Sequence, residues 1–287
     1  MRNFRKMLES QWSRGHFVCV GLDTDPRKVP RSARKASPVM EADYDHVETM
    51  VAFNKANIDA THDLVCAYKP NIAFYEAYGA EGLSGLSRTI NHVRRVAPDV
   101  PVILDAKRAD IGNTNEGYTT MAFDLMQADA ITVNPYLGSE ALRPFLERAD
   151  KGIFVLCRTS NPGAGEFQDL PVHVAGYKTK PLYEVVADNI ARDWNKNKNC
   201  GLVVGATNPE QLRSVRRLIG DMPILIPGIG EQGGSLEKSV AAGKDSRGEG
   251  MIINASRSII YASTGSDFAE AAREETKRMS DLINQYR

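Results

Sequence analysis

Eight short runs of apolar, β-branched residues recur along this chain, at 17–22, 67–74, 102–104, 130–133, 153–156, 202–204, 224–226 and 251–253. Between them lie stretches with helical spacing of apolar positions, at 44–63, 82–96, 115–127, 138–148, 183–196 and 209–219. The runs are apolar at consecutive positions, as expected of strands buried on both faces in a parallel sheet covered by helices. Eight βα units in 287 residues predict an α/β fold with the sheet closed into a (β/α)8 (TIM) barrel, and a doubly wound open sheet is the alternative. No Pro- or Ser-rich linker divides the chain, so 1–287 is expected to form a single domain.

Composition removes several classes of function. Thirty-six basic residues balance thirty-six acidic ones, and no long basic run is interleaved with aromatics, so polymeric nucleic acid is not an expected partner. No stretch approaches the roughly 20 apolar residues that cross a bilayer, and the start of the chain lacks an apolar signal core, so a cytoplasmic protein without membrane contact is expected. Residues 2–14 read as an amphipathic helix packed on the domain rather than as a transit peptide. Cys19, Cys66, Cys157 and Cys200 are far apart and form no C-x-x-C pair, and the five histidines lack metal-ligand spacing. Asn254-Ala255-Ser256 matches a glycosylation sequon, but it lies in an apolar segment and reads as accidental.

A barrel of this kind places its chemistry in the loops after the strands, and polar residues gather there. Asp23 follows the first run, Lys69 lies in the second, Asp105 and Lys107 close the third, Thr159, Ser160 and Asn161 follow the fifth, and Ser256, Arg257 and Ser258 follow the eighth. Within 105–114, two carboxylates (Asp105, Asp110), the ammonium of Lys107 and the hydroxyl of Thr114 are crowded together. A strand's period of two turns Asp105 and Lys107 the same way, making an acid and a base whose protonation each can tune in the other. A surface salt bridge is the plainer alternative for such a pair. Lys55 competes with Lys69, but Lys55 belongs to a helical stretch and Lys69 to a strand-like one.

After the seventh run, residues 227–234 form a glycine-rich loop whose amides can approach an anion closely, and Arg257 after the eighth run adds a guanidinium fork. The loops after the seventh and eighth strands of such barrels are a frequent phosphate site. The pairing therefore points to a phosphorylated small molecule.

Taken together, Asp105-x-Lys107-x-x-Asp110 with Ile111 and Thr114, Gly21-Leu22-Asp23, Lys69, Ser160-x-Pro162-Gly163, Pro227-Gly228-Ile229-Gly230-x-Gln232, and Arg257 through Tyr261 resemble the orotidine 5'-monophosphate decarboxylase family. The resemblance runs in order along nearly the whole chain, and segments 53–59 and 161–200 are similar to its longer bacterial branch. It implies a lyase of pyrimidine (UMP) biosynthesis that decarboxylates orotidine 5'-monophosphate to UMP, without metal or organic cofactor. It further implies a catalytic Lys69, Asp105, Lys107 and Asp110 network beneath the pyrimidine, with Lys107 protonating the carbanion. By the same resemblance, Asp23 and Lys69 bind the ribose hydroxyls, Ser160 reads the pyrimidine edge, and Gln232 and Arg257 hold the phosphate. Asp110 and Thr114 reach into the neighbouring subunit's site, which implies a homodimer with shared active sites. The segment 231–248, rich in glycine and charge, is a candidate lid. The chain departs from the family's frequent glycine before the phosphate-binding arginine by carrying Ser256. The alternative reading keeps the Asp-x-Lys-x-x-Asp barrel but assigns it to a magnesium-dependent sugar-phosphate decarboxylase or aldolase of the same superfamily.

Overall fold

A computed structural model describes residues 2–37, 44–173, 179–229 and 233–287 of the chain. Eight parallel strands, β1 (Val18–Gly21), β2 (Val65–Lys69), β3 (Ile103–Arg108), β4 (Ala130–Val133), β5 (Gly152–Arg158), β6 (Cys200–Val204), β7 (Ile224–Ile226) and β8 (Met251–Ala255), lie in the order β2-β1-β8-β7-β6-β5-β4-β3. The remaining seam, between β2 and β3, is bridged at Tyr68–Val102 and Asn71–Asp105. Backbone bonds Tyr68 N to Pro101 O (3.1 Å) and Asp105 N to Pro70 O (3.0 Å) span it. The barrel thus comes nearly closed, as the alternation of short apolar runs and helices predicts.

Its strands are buried almost throughout, and their side chains fill the interior and the layer beneath the helices. The first helix, Phe4–Ser13, covers the end where strands begin. Its Phe4 amide bonds to Asp150 O (2.9 Å), the Trp12 indole donates to Met251 O (2.8 Å), and the Phe4 ring meets Phe154 edge-on at 5.5 Å. With that end sealed, the loops after the strands form the open mouth.

Local chemistry moves several boundaries from their expected places. The second run stops as a strand at Lys69 because Pro70 has no N–H for the ladder, and residues 73–74 enter a short helix, Ala73–Glu76. The helical stretch after β3 is Gly112–Thr119 followed by a wider π-helical turn, Thr120–Leu125. The stretch 138–148 divides into Gly138–Ala141 and Arg143–Leu146, with Pro144 in the opening turn of the second piece. After β5 the chain makes a short antiparallel ladder between Pro171–Val172 and Lys180–Pro181 before the helix Leu182–Asn189. Within the candidate lid, Ser235 caps the helix Leu236–Gly243, which buries Ser239, Val240, Ala242 and Gly243 against the barrel. Among the described residues no helix is long and apolar enough to cross a membrane.

Candidate active site

The charged cluster is built at the seam that closes the barrel. Lys69 ends β2 and is almost fully buried. Its Nζ donates to Asp105 Oδ2 at 2.8 Å and lies 3.8 Å from Asp23 Oδ1. The other oxygen, Asp105 Oδ1, accepts from Lys107 Nζ at 2.7 Å and from the Thr132 hydroxyl at 2.9 Å. Asp105 therefore stands between two ammonium groups, one sealed in the barrel and one, Lys107, half-exposed at the mouth.

Burial works against charge at both buried partners, and the arrangement overcomes it. Desolvation would raise the Asp105 pKa, but Lys69 and Lys107 outweigh it and hold the carboxyl well below the usual range. Desolvation would lower the Lys69 pKa, but Asp105 and Asp23 outweigh it and leave the ammonium more basic than usual. Both groups are held charged at neutral pH, a condition for an electrostatic site that acts without reorganising.

Asp23 follows β1, two residues after Gly21. Its Oδ2 accepts from the Ser256 hydroxyl at 2.8 Å, while its buried Oδ1 has no hydrogen-bond donor. Ser256 in turn explains Gly21: a β-carbon there would lie 1.8 Å from Ser256 Oγ. The residue that departs from the resembled pattern thus ties the loop after β8 to the carboxylate after β1.

Beside this pair, a cavity of about 90 Å³ opens between 227–229 and 254–258, with Arg257 exposed at its rim. Backbone bonds Gly234 N to Gly228 O (3.2 Å) and Ala206 N to Pro227 O (2.9 Å) shape its glycine-rich wall. Asn254 lines it from β8 with a buried Oδ1 that has no partner. As a sequon the residue is sterically unavailable; as a wall residue it adds polarity to an anion-sized recess.

Ser160 packs over Gly205, where a β-carbon would meet its backbone nitrogen, Cα and Cβ at 2.7–2.9 Å. Its loop is braced on either side. Thr159 N donates to Gln168 Oε1 at 2.8 Å, and Arg158 forms a paired bridge to Asp169 (2.8 and 2.9 Å). The structure therefore brings together Asp23, Lys69, Asp105 and Lys107, with Ser160 and Arg257 on the loops after β5 and β8 at the same end of the barrel. Asp110 and Thr114 are not gathered with them. Asp110 Oδ1 accepts from Ile111 N (2.7 Å), and Thr114 is exposed on the next turn. Gln232 lies outside the described residues.

Comparison with known proteins decides the family. The profile of the orotidine 5'-phosphate decarboxylase / HUMPS family matches residues 17–274. The chain belongs to this family. Named relatives of the orotidine 5'-phosphate decarboxylase family are 48% identical in Cellvibrio japonicus, covering 98% of both chains, and 47% identical in Thermomicrobium roseum, covering 99% of this chain and 96% of that one. The solved structure of Leishmania donovani OMP decarboxylase superposes with a TM-score of 0.81 at 38% identity, over 99% of this chain and 98% of that one. Membership of the orotidine 5'-phosphate decarboxylase family agrees with the barrel and with the charged cluster at its mouth.

The expected site lacks Thr132 and Asn115, and it counts Asn254 only as an accidental sequon and Ser256 only as a polar neighbour of Arg257. Thr132 and Asn254 carry one available signal, a polar residue inside or ending an otherwise apolar run. Asn115, fully buried, clamps Asp110 by accepting from its N–H (2.9 Å) and donating to its carbonyl (2.5 Å); nothing in the local pattern marks it.

Proposed function

We propose that this chain is a carbon–carbon lyase that converts orotidine 5'-monophosphate to UMP and carbon dioxide, the last step of de novo pyrimidine nucleotide biosynthesis. The observation that carries the proposal is Asp105 held between Lys69 and Lys107 at the barrel mouth, in a chain nearly half identical to named decarboxylases.

The bond from the pyrimidine carbon to its carboxylate breaks, carbon dioxide leaves, and the electron pair stays on the ring carbon. That carbanion has little resonance relief, so a fixed positive charge favours the transition state over the bound substrate. Lys107, the exposed end of the charged chain, supplies the charge and then the proton from Nζ, and the resulting amine recovers a proton from solvent. Asp105 keeps Lys107 aligned and crowds the substrate carboxylate. Lys69 and Asp23 take the ribose hydroxyls, Ser160 the pyrimidine edge, and Arg257 with Gln232 the phosphate, seated in the recess beside Ser256.

The functional unit in this reading is a homodimer with shared sites, completed by Asp110 and Thr114 of the opposite subunit. Two features support it. Asp110 lies outside its own chain's network, and apolar Ile111, Tyr136 and Leu137 are 63%, 91% and 45% exposed. The Asn115 amide, which also donates to Ala141 O at 2.6 Å, ties the two exposed segments into one surface.

The test is a spectrophotometric assay of the purified chain with orotidine 5'-monophosphate and excess chelator, alongside Lys107→Ala. Conversion to UMP by the parent and almost none by the variant is expected. No conversion by the folded parent would overturn the proposal and direct the assay to sugar phosphates with magnesium restored.

A further inference from the structure

We propose that Thr132 is a positioning residue for the reaction: its hydroxyl holds the bulge that aims Asp105 and Lys107 at the substrate. This rests on the decarboxylase reading above and extends it to a residue outside the charged network.

Strands β3 and β4 pair regularly at Leu104–Ile131, and their next pair is Arg108–Val133. Three residues, 105–107, therefore stand opposite Thr132 alone, which makes a β-bulge, a device that re-aims side chains at the end of a strand. The bulge places Lys107 at φ 48°, in the left-handed region that a lysine adopts only under constraint. In a regular ladder the amides of 106 and 107 would have no common partner. Here the Ala106 and Lys107 N–H groups both donate to Thr132 Oγ1, at 3.0 and 2.9 Å, and the Thr132 hydroxyl donates to Asp105 Oδ1 at 2.9 Å.

Those three bonds exhaust a hydroxyl, which has two lone pairs and one proton. Because both lone pairs are occupied by amides, the hydroxyl can only donate toward Asp105, and so it favours the ionised carboxylate. The oxygen it binds is the one that also binds Lys107 Nζ. One buried side chain, 1% exposed, thus fixes the backbone of the proton donor and the carboxylate that orients it. Only threonine or serine can make all three bonds; valine fills the same volume and makes none.

The experiment compares Thr132→Val, Thr132→Ser and Thr132→Cys with the parent in kcat, KM for orotidine 5'-monophosphate, and urea unfolding. Misplacement of reacting groups by about 1 Å costs on the order of a hundredfold. Thr132→Val is therefore expected to lose about a hundredfold in kcat with KM changed less than about threefold. Thr132→Ser should recover most of the rate. If the valine variant does not fold, the Ser–Cys contrast carries the test, since a thiol is a poor partner for amides and carboxylate. A valine or cysteine variant with parental kcat would overturn the proposal, as would a serine variant no better than either. A parent inactive on orotidine 5'-monophosphate would instead sink the decarboxylase reading, and the two failures are thereby distinguished.

Discussion

Ser256 and Asp23 meet at the barrel mouth between the adjacent strands β8 and β1, the Ser256 hydroxyl donating to Asp23 Oδ2 at 2.8 Å through the space that Gly21 leaves empty. The bond is charge-assisted and partly buried, and it joins the recess beside Arg257 to a carboxylate 3.8 Å from Lys69. Hydrogen bonds to charged groups are worth about 1.5–3 kcal/mol. Ser256→Ala should therefore raise KM for orotidine 5'-monophosphate by roughly tenfold or more, with a smaller change in kcat, because Asp23 is assigned to ribose binding and not to bond cleavage. Steady-state kinetics check the split; a fall in kcat alone would contradict it.

Asp105→Asn should destabilise the fold as well as abolish turnover. Removing the carboxylate leaves Lys69 buried with only the more distant Asp23, and breaking a buried pair in this way costs about 3–5 kcal/mol. Because Asp105 is held below its ordinary pKa when folded, its contribution is fully present above the unfolded value of about 3.9 and is lost as pH falls below it. The gap in urea stability between parent and variant should accordingly be widest near neutrality and narrow below about pH 4. A gap independent of pH would contradict the assigned charge state.

How much of this was legible beforehand follows from the range over which each feature is encoded. Strand runs and the Asp105, Lys107 motif are local, and burial on both faces writes them as consecutive apolar letters. The orientation of that motif is not local. A period of two predicts that Asp105 and Lys107 share a face of a straight strand, whereas the structure brings them together through a bulge with Lys107 at φ 48°. Its support, Thr132, lies 25 residues further along the chain. Ser256 is harder still, because its acceptor is 233 residues away, and adjacency of the first and last strands is a consequence of barrel closure alone. Within 231–248 the helix Leu236–Gly243 is hidden for a related reason: glycine and charge mark the segment as a whole, while the small residues Ser239, Ala242 and Gly243 are what let the helix pack.

Arg216 should govern stability without touching catalysis. It is buried, burial pushes its pKa down to about 10, and among the described residues no carboxylate is in hydrogen-bond contact with it. Its guanidinium instead donates to four carbonyls, those of Gly220, Met222, Gly243 and Gly250, at 2.6–2.7 Å. These acceptors lead into β7 and β8 at the sealed end of the barrel, the end associated with stability rather than chemistry. Arg216→Met removes four hydrogen bonds, leaving Gly250 O only its bond from Ile224 N, and should cost more than about 3 kcal/mol in urea unfolding. The kcat of the remaining folded protein should match the parent; a selective loss of kcat would place Arg216 in the catalytic machinery.

Shared sites give the proposed homodimer a test that stability measurements cannot give. Asp110 is clamped at its backbone by Asn115, and its carboxylate accepts from the Ile111 N–H rather than from Lys69 or Lys107 of its own chain, so substitution at 110 and at 107 should damage different subunits' contributions to one site. A chain carrying Asp110→Ala retains its own Lys107, and a chain carrying Lys107→Ala lends an intact Asp110. When the two inactive chains are mixed and allowed to exchange, one of the two sites in each mixed dimer is whole, which predicts recovery of about one quarter of parental activity for random pairing in a two-fold assembly. Titrating the ratio of chains should give a maximum at equal amounts. Verified mixed dimers without activity would show that Asp110 serves the subunit that carries it, and the exposed Ile111, Tyr136 and Leu137 would then need another explanation.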